Sequence, residues 1–386
     1  MINPAAYRQS RIPSRWRHLD LVLVIVVTLI SAFGALMIYT ATRDRLQAEG
    51  LSPQYYVRKQ LVFLLIGLVV MFVVAAIDYH HYRDWAFLFY GGSVVMLLAV
   101  YAVGHKSKGA QAWFQVGSYQ FEPSEFAKIA LIVALASYSA TFKGRLDGRG
   151  LAVIVTLAAV PFALIYKQPD LGSALVLLAV LIALVLIAGT RARHLGLLAL
   201  VALIGVVGVV HFGVLKQYQK ARLTSFVSSP DQPDPKLLQT EAGANLYNLA
   251  ESKITISHGG LTGQGIGKGT QTNLSYVPEQ QTDFIFTAVG EQVGLVGSAL
   301  LLMLYLAVVW RTWRTATLSR DLSGTLICIG VLAMLVFQVF ENIGMTMGIM
   351  PIAGIPLPFM SYGGSALIAS FAGIGLVLNV RMRTFG

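Results

Sequence analysis

Charged side chains are scarce in this chain. Of its 386 residues only 12% are Asp, Glu, Lys or Arg, whereas 56% are hydrophobic. An ordinary soluble domain carries about 25% charged residues, so this composition excludes that class of protein. The chain is therefore predicted to be an integral membrane protein.

Cysteine is almost absent, and the chain has no nucleotide-binding motif. The single Cys328 lies inside an apolar run, which excludes a disulfide and a metal site built from cysteines. The glycine-rich segment GQGIGKGT, residues 263–270, matches neither the GxxxxGK[ST] nor the GxGxxG pattern. No internal repeat supports a transporter built from two similar halves.

Long apolar runs dominate what is present. A transmembrane helix needs about 20 apolar residues, and ten runs of suitable length occur. They are Leu19–Tyr39, Leu61–Ile77, Trp85–Val103, Phe126–Ser139, Leu151–Tyr166, Leu171–Gly189, Leu195–Leu215, Phe284–Trp310, Gly324–Met347 and Leu357–Val380. The fourth run is short unless its helix starts near Pro123. We therefore predict an all-α polytopic membrane protein with about ten transmembrane helices.

The basic residues predict the orientation and the domain layout. Of the 29 basic residues, 15 fall in the N-terminal tail, residues 1–18, and in alternate short connections, as the positive-inside rule expects of cytoplasmic segments. Both termini are therefore expected in the cytoplasm. Residues 19–386 form one transmembrane domain, and its large extracytoplasmic loop is predicted at residues 216–282. The net charge of +11 is spread over helix ends, where anionic lipid headgroups account for it, so nucleic acid is not an expected partner.

Ionisable residues inside the spans are candidates for function, because a charge in lipid is costly unless it is paired or faces a polar cavity. Glu125 and Lys128 share one helix face and can also be explained as a structural ion pair. Two further polar stripes are expected to face one another around a cavity that opens outward. They are Asp283, Thr287 and Glu291 in the eighth span, and Gln338, Glu341 and Asn342 in the ninth.

Asp283 is expected in the first turn of the eighth span. A carboxylate there is favoured by the helix macrodipole, so a simple capping role is one explanation. A catalytic role is the other explanation, and it requires a reaction for the carboxylate to serve.

Five sequence blocks resemble one known family. They are GAQAWFQVGSYQFEPSEFAKIA (109–130), KQPDLGSAL (167–175), ESKITISHGGLTGQGIGKGTQ (251–271), VPEQQTDFIFTAVGEQVGLVG (277–297) and ENIGMTMGIMPIAGIPLPFMSYGGSA (341–366). In this order and spacing they are similar to the signature blocks of the SEDS family (shape, elongation, division and sporulation). The short tails and the SKGAQ and SYGGSA sequences are more like the elongation members than the division members.

The resemblance implies a peptidoglycan glycosyltransferase of the bacterial inner membrane, with its active site on the outer face. Such enzymes polymerise lipid II into glycan strands with inversion and release undecaprenyl pyrophosphate, here during elongation and rod-shape maintenance. The implied partner is a class B penicillin-binding protein that crosslinks the strands, together with other membrane proteins of the elongation machinery.

The resemblance also assigns residues. The family's essential aspartate corresponds to Asp283, its tryptophan to Trp113, its ion pair to Glu125 and Lys128, and the acid of its QPDLG block to Asp170.

The reaction needs a base and a cation. Asp283 is expected to take the proton of the attacking hydroxyl, since one carboxylate can activate the nucleophile of an inverting displacement. Lys128 is one candidate cation for the leaving pyrophosphate, and Arg58 and Lys59 at the outer end of the second span are alternatives. A bridging Mg²⁺ or Mn²⁺ would supply the same charge, although no spacing of ligands in the sequence indicates one. Two further acids, Glu279 and Glu341, are expected to support the site.

Two other functions stay open at this point. A lipid II flippase would also use ten helices and a polar cavity, but it predicts polar groups in both halves of the membrane, whereas most candidate acids cluster at the outer boundary. A scaffold that only positions a synthase gives no reason for acids inside the eighth and ninth spans. Trp113 can likewise be explained as an anchor at the membrane interface.

Overall fold

The computed structural model describes residues 15–107, 110–117, 119–211 and 241–384, which are predominantly helical. A 3₁₀ turn at Arg15–His18 precedes the first helix. The helices are α1 Leu21–Ala48, α2 Tyr55–Ala76, α3 Tyr79–Asp84, α4 Ala86–Val103, α5 Pro123–Ala140, α6 Gly148–Lys167, α7 Leu171–Ile187, α8 Ala192–His211, α9 Glu241–His258, α10 Thr270–Asn273, α11 Ile285–Leu318, α12 Leu322–Met347 and α13 Gly364–Thr384.

Each of the ten apolar runs corresponds to a helix. Among the described residues seven helices, namely α1, α2, α4, α6, α11, α12 and α13, are long and apolar enough to cross a membrane. Of the other three, α7 is apolar but has 17 residues, and α8 is apolar over Ala192–Val201. Helix α5 starts at Pro123, so Glu125 and Lys128 lie in its first two turns. The predicted residues 212–215 of the seventh span lie outside the described residues.

The predominantly helical architecture is confirmed, and three details of the prediction differ from the structure. A small antiparallel sheet, β1 His105–Ser107, β2 Ala110–Val116 and β3 Tyr119–Phe121 in that order, interrupts the all-α pattern between α4 and α5. The tenth helix begins at Gly364 instead of Leu357, because the prolines at 351, 356 and 358 disfavour a helix in the preceding segment. The eighth span is longer than predicted and is broken within its third turn.

The packing places α12 near the centre of the bundle. It contacts α5, α7, α11 and α13, while α13 lies along α2 and α11 lies along α1. Helix α12 is correspondingly well buried, since 61% of its most apolar 18-residue stretch lies inside the protein. The site residues on α5, α7 and α12 are therefore brought to neighbouring positions by the central packing of the bundle.

Both described termini of the chain lie at the same end of the bundle. Asp20 caps α1 by accepting a hydrogen bond from Leu23 N at 3.2 Å. Its buried carboxylate also pairs with Arg311 near the end of α11, with 2.8 Å between Nε and Oδ2, and with Arg381 near the end of α13 at 3.2 Å. Two termini at the same end agree with an even number of membrane crossings by the chain. We call the opposite end, which carries the sheet and residues 241–284, the loop end.

The long helix α11 is interrupted at Gly294, whose backbone is not helical (φ 65°, ψ −164°). Such a break leaves amides and carbonyls without partners inside the helix. The glycine-rich segment 259–265 provides them: Gln264 N and Gly265 N donate to the carbonyls of Glu291 and Gln292, and Leu295 N donates to Gly260 O. Irregular backbone at membrane depth is thereby paired within the protein.

The close approach of these segments requires glycine at position 263. Its φ is +80°, and a Cβ there would lie 2.3 Å from Gln292 O. We expect Gly263→Ala to destabilise the protein by at least about 2 kcal/mol more than Gly260→Ala. Gly260 is the matched control, since it also has a positive φ (+52°) but has no atom within 4 Å of its Cβ position.

The measurement is thermal unfolding of the two variants in the same detergent. Equal melting temperatures for Gly263→Ala and Gly260→Ala would contradict the role assigned to this contact.

Candidate functional site

Asp283 lies at the loop end, in the turn that leads into α11. The helix begins at Ile285 with Phe284 as its N-cap, so the expectation that Asp283 belongs to the first turn of a helix is corrected. Its backbone N donates to Glu279 O at 3.1 Å. The carboxylate is half-buried and faces Gly354, with Oδ2 3.5 Å from the position that a Cβ on Gly354 would occupy.

Asn342 fixes the position of Asp283. Its side chain is fully buried in α12, and Nδ2 donates to Asp283 O at 2.8 Å and to Ile355 O at 2.7 Å. One amide thus joins the turn before α11 to the irregular segment 351–363. Glu341 is the preceding residue of α12 and is 1% exposed. Glu279 is half-buried and has a positive φ of 51°, which closes the tight turn that ends at Asp283.

The stripe of polar residues in α11 does not line one cavity. Glu291 is fully buried and accepts hydrogen bonds from the N-terminus of α10: from Gln271 N at 2.7 Å, from Thr272 N at 2.9 Å and from the Thr272 hydroxyl at 2.6 Å. Thr287 accepts a hydrogen bond from Gln280 Nε2 at 2.9 Å. These side chains hold the loop segment in place, and only Asp283 of the stripe is partly exposed.

The predicted ion pair of α5 is formed and is almost inaccessible. Lys128 Nζ donates to Glu125 Oε1 at 2.7 Å, and the two side chains are 1% and 4% exposed, respectively. A lysine that is already neutralised and buried in this way is less available to an incoming anion than an exposed cation.

A third acid, Glu122, joins this group; it lies in the block of residues 109–130, but the resemblance assigns it no role. It is the N-cap of α5, and it accepts hydrogen bonds from Trp113 Nε1 at 3.1 Å and from the Ser124 hydroxyl at 2.8 Å. Trp113 is thus bound to an acid of the site and is more than an interface anchor. Besides its place in that block, the sequence signal is an acid directly before Pro123, a position typical of helix starts.

Burial and the nearby charges of Asp170 and Glu125 raise the pKa of Glu122 to about 8. Asp170 is the N-cap of α7, where its Oδ1 accepts from Ser173 N at 3.0 Å. Its Oδ2 is buried and accepts no hydrogen bond within the part of the chain that the structure describes.

The segment 353–355 connects this acidic group with Asp283. Gly172, in the first turn of α7, packs against Ala353 O and Ile355, and the residue between them, Gly354, faces the Asp283 carboxylate. The acids of α5 and α7 and the acid before α11 therefore lie on two sides of one short segment.

Arg58 and Lys59 lie in the first turns of α2, also at the loop end. Arg58 is exposed, and its Nε and Nη2 donate to Gln54 Oε1 at 3.1 and 2.7 Å. Lys59 is half-buried and donates to the Tyr55 hydroxyl at 2.7 Å. Both cations are more accessible than Lys128.

Within residues 15–107, 110–117, 119–211 and 241–384, no group of three or more His, Cys, Asp or Glu residues is placed so that it could hold a metal ion. Asp283 and the phosphates of a substrate together would be the donors available to a divalent cation. The involvement of Mg²⁺ or Mn²⁺ thus stays a hypothesis.

The fold and site define a polytopic membrane protein with a carboxylate-rich site at one end of a helical bundle. The sequence matches the family described as "Cell cycle protein" (FtsW/RodA/SpoVE) over residues 20–385. The chain belongs to this family, which confirms the expected SEDS membership.

Relatives from several branches have similar identity. The chain is 33% identical to the "Probable peptidoglycan glycosyltransferase FtsW" of Geobacter metallireducens, covering 95% of this chain and 96% of the relative. It is 34% identical to the "Peptidoglycan glycosyltransferase MrdB" of Escherichia coli K12, covering 94% and 93%. It is 33% identical to the "Stage V sporulation protein E" of Bacillus subtilis, covering 94% and 96%.

Solved structures agree with the fold. One, described as "Structural coordination of polymerization and crosslinking by a peptidoglycan synthase complex", matches with a TM-score of 0.78 and 32% identity, covering 95% of this chain and 98% of the other. The Rod shape determining protein RodA of Thermus thermophilus matches with a TM-score of 0.69 and 30% identity, covering 96% and 99%.

The buried ion pair yields a stability prediction. Lys128→Met leaves Glu125 buried without its cation, so we expect a loss of about 3–5 kcal/mol. Glu125→Gln combined with Lys128→Met removes both charges and is expected to recover most of that loss. Thermal unfolding in detergent is the measurement, and a double variant as unstable as Lys128→Met would contradict the pairing.

Glu122 yields a prediction for pH. Its raised pKa of about 8, against 4.5 for an ordinary glutamate, means that the folded protein keeps a proton that the unfolded chain releases. Its contribution to stability therefore falls as pH rises from about 4.5 to about 8. We expect the melting temperature of Glu122→Gln, relative to wild type, to increase between pH 5 and pH 8.5.

The control for this prediction is Glu49→Gln, which alters a carboxylate that is 53% exposed. It is expected to leave the pH profile unchanged. If Glu122→Gln and wild type show the same dependence of melting temperature on pH, Glu122 is not the group responsible.

Proposed function

We propose that this chain is a peptidoglycan glycosyltransferase that polymerises lipid II into β-1,4-linked glycan strands. The names of its relatives support this reaction class. The structural observation that supports it best is the half-buried Asp283 carboxylate at the loop end, held next to Gly354 by the buried amide of Asn342.

The proposed step is a single inverting displacement. The acceptor hydroxyl attacks the anomeric carbon of the donor sugar, a C–O bond forms, and the bond to the pyrophosphate oxygen breaks. Asp283 accepts the proton of the hydroxyl, and the bond pair leaves with the undecaprenyl pyrophosphate. A fixed backbone position limits the movement of the base, which is what positioning contributes to catalysis.

We infer that the leaving pyrophosphate is met by Arg58 and Lys59 instead of Lys128. Lys128 is buried against Glu125, whereas Arg58 is exposed and Lys59 is partly exposed at the same end as Asp283. In this proposal Glu125, Asp170, Glu279 and Glu341 support the fold of the site. Mg²⁺ or Mn²⁺ between Asp283 and the pyrophosphate is compatible with the same step.

The proposed setting is the bacterial inner membrane, with residues 1–18 and both termini in the cytoplasm and the loop of residues 216–282 outside. The loop end would then meet lipid II after its translocation. We propose a class B penicillin-binding protein as the partner, since the matched peptidoglycan synthase complex couples polymerization with crosslinking. Relatives from several branches are about equally similar to the chain, so overall identity does not decide between elongation and division. We propose an elongation role from the SKGAQ and SYGGSA sequences.

A flippase is less well supported by the charges at the opposite end of the bundle. Asp20 is paired there with two arginines, and Asp78 pairs with Arg383 at 2.9 Å. A flippase needs a polar path that reaches this end, and these charges are already neutralised by one another.

The test supplies lipid II to the purified full-length protein, alone and with its penicillin-binding partner, and measures glycan polymer by gel. We expect no polymer from Asp283→Asn or Asp283→Ala, because neither side chain can accept the proton. Both variants should keep the wild-type melting temperature and partner binding. Asp84→Asn is the matched control, at a carboxylate that is 62% exposed at the opposite end.

Polymer at near-normal yield from Asp283→Asn would exclude this residue as the base. Loss of polymer with Asp84→Asn as well would mean that the assay reports general damage.

A further inference from the structure

A group of aromatic side chains at the loop end has no role in the reaction described above. Tyr55 and Tyr56 come from the first turn of α2, Tyr119 begins β3, and Tyr362 lies just before α13. Lys59, one turn into α2, lies among them. We call these five residues the tyrosine platform.

The rings of the platform are held in fixed relative orientations. Tyr55 and Tyr56 meet edge to face with centroids 5.2 Å apart, and Tyr56 meets Tyr362 in the same way at 4.9 Å. Tyr119 packs edge to face on Phe63 at 5.6 Å. Contacts of this kind favour one arrangement of the rings over others.

Two rings of the platform are presented to the outside with a cation between them. Tyr55 and Tyr119 are each 44% exposed. Lys59 Nζ lies 4.3 Å from the centroid of the Tyr55 ring and 5.3 Å from that of Tyr119, and it donates to the Tyr55 hydroxyl. The platform therefore combines two partly exposed aromatic rings with one positive charge.

The platform is continuous with the candidate base. Tyr362 N donates to Gln281 O at 2.8 Å, two residues before Asp283. Gln60, the next residue after Lys59, donates from Nε2 to Ser361 O at 3.1 Å. The first turns of α2, the segment before α13 and the turn that carries Asp283 are thus joined by direct hydrogen bonds.

Tyr362 is half-buried, unlike the more exposed Tyr55 and Tyr119. Burial and the neighbouring Tyr56, Tyr55 and Tyr119 raise the pKa of its hydroxyl.

We propose that the tyrosine platform is a saccharide-binding subsite, on which an N-acetylated pyranose stacks against Tyr55 and Tyr119 with its anionic linkage facing Lys59. This inference rests on the proposed function, since it places the sugar of that substrate beside Asp283. The apolar C–H face of a pyranose matches an aromatic ring, and a phosphate on the sugar matches the ammonium group. That sugar is the pyrophosphate-linked unit, and a sugar from the neutral part of the growing strand is the alternative that the test separates.

A competing explanation is a tyrosine belt that anchors the protein among lipid headgroups. Such a belt needs exposed rings but has no preference for sugars. Saccharide binding by the isolated full-length protein in detergent, where the headgroups are removed, separates the two explanations.

The experiment measures binding of two probes to the purified full-length protein by saturation-transfer NMR and calorimetry. One probe is a neutral β-1,4-linked N-acetylglucosamine tetrasaccharide, and the other is N-acetylglucosamine 1-phosphate. We expect Tyr55→Leu with Tyr119→Leu to weaken binding of the tetrasaccharide by at least about tenfold, since stacking is lost. Tyr55→Phe with Tyr119→Phe keeps the rings and is expected to bind within about threefold of wild type.

Two further variants sharpen the result. Tyr276→Leu is the matched control, because Tyr276 is also 44% exposed at the loop end and lies outside the platform; it should bind both probes as wild type does. Lys59→Gln should weaken the phosphorylated probe and spare the neutral one. If Lys59→Gln weakens binding of N-acetylglucosamine 1-phosphate and leaves binding of the tetrasaccharide unchanged, the subsite takes the pyrophosphate-linked unit. Equal effects of Lys59→Gln on the two probes would contradict the placement of the anionic linkage at Lys59.

The proposal is overturned if wild type binds neither probe, or if the double leucine variant binds as tightly as wild type. These outcomes are separable from failure of the proposed function, which is read from glycan polymer in the lipid II assay. If the protein forms glycan polymer but binds neither saccharide probe, only the proposed subsite is rejected. Binding without polymer removes the glycosyltransferase assignment and leaves the subsite in place.

Discussion

The pairing of backbone groups at the broken helix α11 is the constraint on which the rest of the site depends. A helix that stops and restarts inside an apolar bundle exposes amides and carbonyls that lipid cannot satisfy, at a cost of several kcal/mol each. Here the glycine-rich segment 259–265 makes those hydrogen bonds, which anchors residues 259–284 against the bundle. Glu291 adds a second anchor by capping α10. Glycine is needed because a side chain would collide with the carbonyl of Gln292.

This anchoring determines where Asp283 is found. The turn that carries it begins at Glu279, directly after the anchored segment, and ends at the start of α11. The break therefore does two things at once. It allows a polar loop to enter the bundle, and it presents one carboxylate at the edge of the bundle instead of burying it with Glu291.

Much of the helical architecture could be predicted from the sequence, because long apolar runs have few alternatives to a membrane-spanning helix. The start of α5 at Pro123 followed from a local signal as well. The break at Gly294 could not be predicted, since its partners lie about 30 residues earlier in the chain. The sheet between α4 and α5 was not predictable from alternation, because β1 and β3 have three residues each and β2, AQAWFQV, does not alternate strictly between apolar and polar residues.

The candidate site could be predicted only where its signals are local in the sequence. The motif of residues 277–297 and its aspartate are local in sequence, but the roles of neighbouring acids depend on three-dimensional contacts. Glu291 is expected in a cavity and is instead a cap, whereas Glu122 has no assigned role in its block and binds Trp113. Both contacts join different elements of the fold, so the pattern of either helix alone does not signal them.

The single amide of Asn342 has a mechanical consequence. Because Nδ2 is shared between the carbonyls of residues 283 and 355, a small rotation of α12 would carry the turn and the facing segment together, so that their spacing changes little while their height relative to the bilayer shifts.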